Sequence, residues 1–498
     1  MKMSNIRKKL VSLAVASAVT GGAMMMAAPA HAMNVSQDNV GQVLLFPYYT
    51  VKNGFDTVFT VTNVSNYTAV FKVRFREALN SREVRDFNVI LSPNDHWGAA
   101  VTTTADGALV RTYDKTCTSP RLPGMVLNAD RATAGVKGEV AFTNALYTGI
   151  YNDGGGQEMA RVQEGYFEVI LMGVSDRDPA VSTNTLEYNA KHVSGVPRDC
   201  AVVDGLFLDT VTNLGYMAPP ENILKGHVMY INVANGKSID AEPTAIENFQ
   251  TVFNIIAPPS DVVPDLRDGD DPADISFMAN GVVTTIPGVT GSQNAVTGLL
   301  SATSVINEFA TGAGAATSWV VTFPTKHHYT DAYTSSGTIS GTASAPFSDW
   351  FYSDGKSCDN ISMSLYNREE GTVVSVDDTQ FSPYNPSNPT VALCYEANVI
   401  DFNSSSVFGA GTNRLAVDTS GVGTSGWAQV NFTETPAAVT GLNSILGLPT
   451  IGFAAVMRDA ESATVNYGSS AEHAYLRAPV GGPGHYGNRN QNGNLGNP

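Results

Sequence analysis

Between Phe55 and Val101 apolar and polar residues alternate. "FDTVFTVTN" runs into the turn "VSNY", and "AVFKVRFRE" follows with Ala69, Phe71, Val73 and Phe75 in step against Val70, Lys72, Arg74 and Arg76. A period of two puts these sets on opposite faces of a strand, one buried and one basic and solvated. "REVRDFNVILSP" repeats the inward set as Phe87, Val89 and Leu91; Pro93 and Asn94 then turn the chain into "HWGAAV". Four short antiparallel strands with hairpin-length turns predict an all-β fold, an immunoglobulin-like β-sandwich. Each large side chain on the inner face contributes about 1.5–3 kcal/mol.

The pattern continues at wider spacing. "GEVAFTNALY", "GYFEVILMGV" and "GHVMYINVANG" read as strands, and the nearly unbroken apolar run of "GYFEVILMGV" predicts a central strand buried on both faces. Thr104–Lys137 and Ser175–Leu206 read as long loops. Helical signals are few. "AEPTAIENF" predicts a short helix with Pro243 in its first turn. "NAVTGLLSATSVINEFA" predicts a second, with Val296, Leu299, Leu300, Ile306 and Phe309 at helical spacing. "APPSDVVPDLRDGDDPAD" reads as a linker, which sets a boundary near Pro264. The strands "SWVVTF", "ISMSLYN", "VALCYEANVIDF", "GWAQVNF" and "IGFAAVM" follow it. The expected organisation is a β-sandwich-like domain over 33–264 and a second β-rich half over 265–479, one or two sandwiches with a short helical insertion. A Gly/Asn-rich disordered tail is expected over 480–498.

The N-terminus changes the picture from fold to compartment. Lys2, Arg7, Lys8 and Lys9, an apolar stretch, and Ala30 and Ala32 at A-x-A spacing read as a secretory signal over 1–32. That segment carries four of the 29 basic residues and none of the 46 acidic ones, so 25 basic face 46 acidic residues beyond it, a formal charge of −21. Such an excess disfavours nucleic acid and anionic lipid as partners. No later run is apolar enough for a spanning helix. In an oxidising compartment Cys117, Cys200, Cys358 and Cys394 should form two disulfides. Pairing within each half favours Cys117–Cys200 and Cys358–Cys394. The expected location is cell surface, extracellular or periplasmic.

Candidate chemistry is sparse. In "TSWVVTFPTKHHYTD", Trp319, Val321 and Phe323 share a face and Pro324 ends the strand, which places Lys326, His327, His328 and Tyr329 at the rim. Lys326, His327 and His328 are candidate binding residues, but adjacent His on an extended chain point apart and cannot share a metal without a turn. Asp265, Asp268, Asp270, Asp271 and Asp274 are dense enough to bind Ca²⁺, although EF-hand spacing is absent; no other cofactor is indicated. "GVGTSG" matches a dinucleotide fingerprint literally, yet a strand-like "WAQVNF" follows it where a helix is required, so it reads as a turn. "NDHW" sets Asp95 beside His96, but no G-x-S-x-G elbow accompanies it. Arg74, Arg76, Arg82 and Arg85 with Glu77 and Glu83 should form a charge ladder on the solvated face.

Several blocks taken together, "VLLFPYYTV", "FREALNSREVRDFNVILSP", "EGYFEVILMG", "SWVVTFPTKHH", "LCYEANVI" and "GLPTIGFAAV", resemble a family of exported proteobacterial proteins described as hypothetical or cell-surface proteins. The resemblance spans about Gly41 to Met457 and implies export and a whole-chain unit; it carries no activity, cofactor or site residue. The function expected is a non-catalytic structural or adhesion protein. Its partners would be itself, other surface proteins or extracellular polysaccharide. Self-assembly would proceed by adding the strand-like run in "MNVSQDNVGQVLLFPYYTV" to a neighbour's open sheet edge. The alternative is a carbohydrate-binding module with Tyr48, Tyr49 and Trp97 as exposed contacts. A secreted hydrolase is the weakest reading, since no nucleophile–base constellation is visible.

Overall fold

The computed structural model describes residues 32–123, 137–175, 183–209, 214, 216–279, 281–312, 314–330, 343–351, 355–369, 372–374, 391–403, 405–432, 445–459 and 466–477. The signal read over 1–32 therefore lies outside them up to residue 31, and so does the tail read over 480–498.

Four large sheets make two sandwiches. In the first, the central sheet has seven strands in the order Asn34–Val35, Thr244–Glu247, Val43–Thr50, Glu164–Ser175, Thr68–Glu77, Glu83–Leu91 and Cys117–Ser119. It faces a flank sheet built on Gly138–Ala141, Ala108–Thr112, His96–Thr103, Asp56–Asn63, Leu224–Asn232 and Lys237–Ala241. In the second, a junction sheet runs Arg414–Val417, Ala397–Phe402, Ala315–Thr322, Ile451–Asp459 and Asn466–Glu472. It faces a platform sheet of Thr372–Val374, Asp359–Asn367, Ser425–Phe432, Ser304–Ala310 and Ala474–Leu476, with Val391–Leu393 beside Asp359–Asn367. The β-sandwich expected from the alternation is present. Its sheets are broader than the three- and four-stranded sheets of an immunoglobulin constant domain.

The inner face behaves as the period of two requires. Phe71, Val73, Phe75, Phe87, Val89 and Leu91 pack with Phe59 and Trp97 in the first core. Phe46 stacks on Phe167 at 4.2 Å, and Trp97 meets Phe59 edge-on at 5.5 Å. Glu164–Ser175 is buried at every position and lies between Val43–Thr50 and Thr68–Glu77, the central place its apolar run predicts.

The opposite face of the central sheet corrects the reading of it as solvated. Lys72, Arg74 and Arg76 are all buried. The proline-rich segment expected to link two domains lies across them as a strap. Lys72 donates to the carbonyls of Pro258 and Asp261, Arg74 to those of Pro264 and Val262 at 2.9 and 2.6 Å, and Asn88 to that of Ala257 at 3.0 Å. Prolines lack N–H groups but keep their carbonyls, so a proline-rich strap is an acceptor-rich roof for a basic face. The ladder does form: Arg74 meets Glu83 at 3.0 Å and Asp86 at 3.2 Å, and Arg76 meets Glu168 at 2.8 Å. At the apolar end of this face, Val43, Leu45, Val70, Ile90, Ile170 and Met172 pack under the helices Leu186–Ala190, Cys200–Asp209 and Ser292–Leu300.

The helix predictions split. "AEPTAIENF" contains the strand Thr244–Glu247, because pairing with Val43–Thr50 outweighs local propensity. Ser292–Leu300 is helical, but Ile306 and Phe309 lie in Ser304–Ala310, a strand of the platform sheet. The cysteines pair as Cys117–Cys200 and Cys358–Cys394. The first bond ties the helical layer to the edge of the central sheet. Among the described residues no helix is long and apolar enough to cross a membrane.

Candidate functional site

The two sandwiches interlock through buried polar groups. The junction sheet turns Trp319, Ile400 and Phe402 toward the platform sheet, and Val320, Val399, Phe453 and Met457 into the core of the first sandwich. Around this contact Thr322 donates to the Pro47 carbonyl at 2.6 Å, Tyr166 to the Pro324 carbonyl at 3.2 Å, and the Ala397 amide to the Ala78 carbonyl at 3.0 Å. Arg414 reaches Glu164 at 3.0 Å and the Tyr48 hydroxyl at 3.2 Å, while Lys52 also pairs with Glu164. Burial works against the charge of Glu164, but Arg414 and Lys52 outweigh it and hold the carboxyl below its usual range. At the outer seam Gly468 approaches so closely that a Cβ there would lie 1.9 Å from the Ser238 carbonyl oxygen. Only glycine fits that seam.

The chain after Pro324 enters this interior instead of reaching a rim. Lys326 is 1% exposed; its Nζ lies 2.8 Å from Asp359 and donates to the Ser357 carbonyl at 2.5 Å. Residues His327–Thr330 form one helical turn, which brings the two imidazoles together with ring centroids 4.0 Å apart. The turn thus removes the opposed geometry of an extended chain. His327 Nδ1 lies 3.8 Å from Glu396, which has no hydrogen-bond partner at either oxygen, and neither His327 Nδ1 nor His328 Nε2 has one. Burial dominates here: it pushes both imidazoles down, His328 to about 3, and pushes the Glu396 carboxyl well above its usual range. The strand-end reading of Trp319 and Phe323 holds, whereas the rim placement of Lys326, His327 and His328 is corrected.

The other expected sites are used internally. Tyr48, Tyr49 and Trp97 are fully buried, so their reading as exposed contacts is corrected; they are large inward positions of the first core. Asp265 chelates Arg267, Asp268 accepts from the Asp265 amide, and Asp270 accepts from Thr251. Asp271 and Asp274 accept from the amides of Gly291 and Gly288 at 2.8 Å each. These five carboxylates therefore fold their own loops, and among the described residues no group of three His, Cys, Asp or Glu is placed to hold a metal ion. Asp95 accepts from the His96 amide, while the His96 ring meets Thr62 at 2.7 Å, so this pair makes no Asp–imidazole bond.

The surface feature that sequence reasoning missed lies on the platform sheet. Tyr366, Trp427 and Glu308 are directly opposed across three strands, and so are Ser362, Asn431 and Ser304 four residues further along. Trp427 is 37% exposed and stacks on Tyr366 at 4.0 Å with the rings 9° from parallel. Beside Trp427 opens a cleft of about 280 Å³ lined by Glu308, Asn367, Arg368, Arg458 and Ser469. The signal was the outward set of "SGWAQVNF", in which Trp427 alternates with inward Ala428 and Val430.

Comparison with protein-family models, curated proteins and solved structures gives no match to the chain.

Proposed function

We propose that this is a non-catalytic exported protein, a structural or adhesion component of the cell surface or extracellular matrix. The observation that carries the reading is the buried interlock between the sandwiches, which joins them into one stiff unit instead of leaving a hinged cleft between domains. Two disulfides and a strongly acidic composition support an extracellular setting. The test is an epitope-tagged chain in its host: surface accessibility to added protease, together with one cooperative calorimetric transition, is expected. A cytoplasmic location would end the proposal.

Strand addition by the N-terminal run is not part of this reading, because Val43–Thr50 is already paired on both sides. An assembling edge is better sought at Val282–Val289, which pairs only with Ala273–Ala279 among the described residues and exposes Val282 and Val283. Size-exclusion chromatography and electron microscopy separate a polymer from a monomer.

A second reading, binding of carbohydrate or another surface polymer, is favoured by the Trp427–Tyr366 pair and its cleft. A stacked aromatic wall beside a few polar groups suits the apolar face of a sugar ring. A glycan array should show saturable binding that Trp427→Ala abolishes; no binding across the array would remove this reading.

A further inference from the structure

Within the second sandwich a lysine is almost fully buried. Lys326 follows the strand Ala315–Thr322 of the junction sheet, and Asp359 opens the strand Asp359–Asn367 of the facing platform sheet. Their side chains are 1% and 2% exposed, and Nζ lies 2.8 Å from Asp359 Oδ2. That contact is close, yet Oδ2 accepts no hydrogen bond of acceptable geometry. The ammonium sits between two rings, 5.5 Å from the centre of Phe323 and 5.3 Å from that of Phe347. Asp359 Oδ1, in contrast, is held by two donors, the amide and the hydroxyl of Ser348 at 3.0 and 3.1 Å.

The surroundings complete an arrangement with a specific chemical use. Glu396 is also buried, and burial pushes its carboxyl well above its usual range against the opposing charge of Lys326. The disulfide Cys358–Cys394 fixes the residue before Asp359 against the segment that carries Glu396. An amine and a carboxyl group polarised by two donors are thereby enclosed together beside two aromatic rings.

We propose that Lys326 and Asp359 join in an intramolecular isopeptide bond, a covalent tie between the two sheets of the second sandwich. For the amine to act as a nucleophile, one proton of the Lys326 ammonium passes to the Asp359 carboxylate oxygen 2.8 Å away, giving an amine and an acid. The Nζ lone pair attacks Asp359 Cγ, and negative charge collects on Oδ1, where the two Ser348 donors stabilise it. A proton of the attacking nitrogen passes to the departing Oδ2 hydroxyl, which leaves as water. One N–C bond forms, one C–O bond breaks and one water leaves; no oxidant or reductant is needed. The step happens once per chain, so it goes beyond a passive structural role without making the protein a turnover enzyme, and it does not depend on where the protein resides.

The test needs no variant. The purified full chain, with disulfides reduced, is weighed intact under denaturing conditions and mapped after trypsin. The expected mass is lower by one water than the mass given by the residues present, with a branched peptide holding Lys326 and Asp359 and no cleavage after Lys326. The full mass, with linear peptides ending at Lys326, overturns the proposal. Lys326→Arg and Asp359→Ala should each restore the missing water.

Discussion

Two buried charge clusters a short distance apart in the fold behave in opposite ways. Around Arg161 the carboxylates are matched: its guanidinium donates to Glu77 at 2.7 and 2.9 Å and to Asp153 at 2.9 and 2.6 Å, and Glu77 also accepts the amides of Leu79, Asn80 and Arg82. Around Glu396 the carboxyl and two imidazoles are equally enclosed but almost unbonded. Burial raises the proton affinity of both Asp153 and Glu396; at Asp153 the Arg161 hydrogen bonds reverse it, while at Glu396 nothing does. The first cluster is ionic and locks the 77–82 loop, and the second is held toward its neutral forms by burial. The lesson is that a carboxyl's charge state inside a protein depends on converging donors more than on depth.

Breaking the saturated cluster should have the largest effect. Arg161→Ala leaves Glu77 and Asp153 buried without their cation and should cost about 3–5 kcal/mol in urea unfolding. A cost similar to that of a surface substitution would erase the distinction between the clusters.

The neutral imidazoles give the next effect. His473 donates from Nε2 to the Val320 carbonyl and accepts from Asn307, and burial pushes it down to about 4. Below its ordinary value of 6.5 the unfolded chain takes up a proton that the folded chain refuses. The stability is therefore complete above that value and lost as pH falls, by about 3 kcal/mol at pH 4 for this one residue. His473→Gln should flatten the stability–pH curve by one proton over that window. Glu396 works with the opposite sign: protonated in the fold, it favours the native state most below the usual carboxyl range and less as pH rises.

Arg414→Ala tests the interlock. Glu164 would keep Lys52 and Tyr48, so the expected loss is about 2 kcal/mol. Differential scanning calorimetry should then show the single transition split in two. The smallest effect is expected for Trp427→Ala, within about 1 kcal/mol in stability because the ring is partly exposed. A larger loss would mean that the platform is structural and not a binding face.

Much of the fold was legible and little of the site. The alternation of Ala69, Phe71, Val73 and Phe75 against Lys72, Arg74 and Arg76 identified the strand and its core face correctly. It misread the other face as solvated, since the strap that covers it lies about 190 positions away in the chain. Tyr48, Tyr49 and Trp97 were misplaced for the same reason: an aromatic residue reads alike at a wall and in a core. The pairing of Lys326 with Asp359 carried no sequence signal at all, because segments of two facing sheets supply them, one just past its strand and one at its start.

By itself the sequence determined the strongly alternating strands, the sandwich class and the grouping of cysteines within each half, because periodicity and spacing are local properties of the chain. Only the tertiary structure decided which charged side chains went inside, which were matched there and which were left bare. That depends on where distant backbone carbonyls, carboxylates and rings come to rest, and no local pattern encodes their meeting.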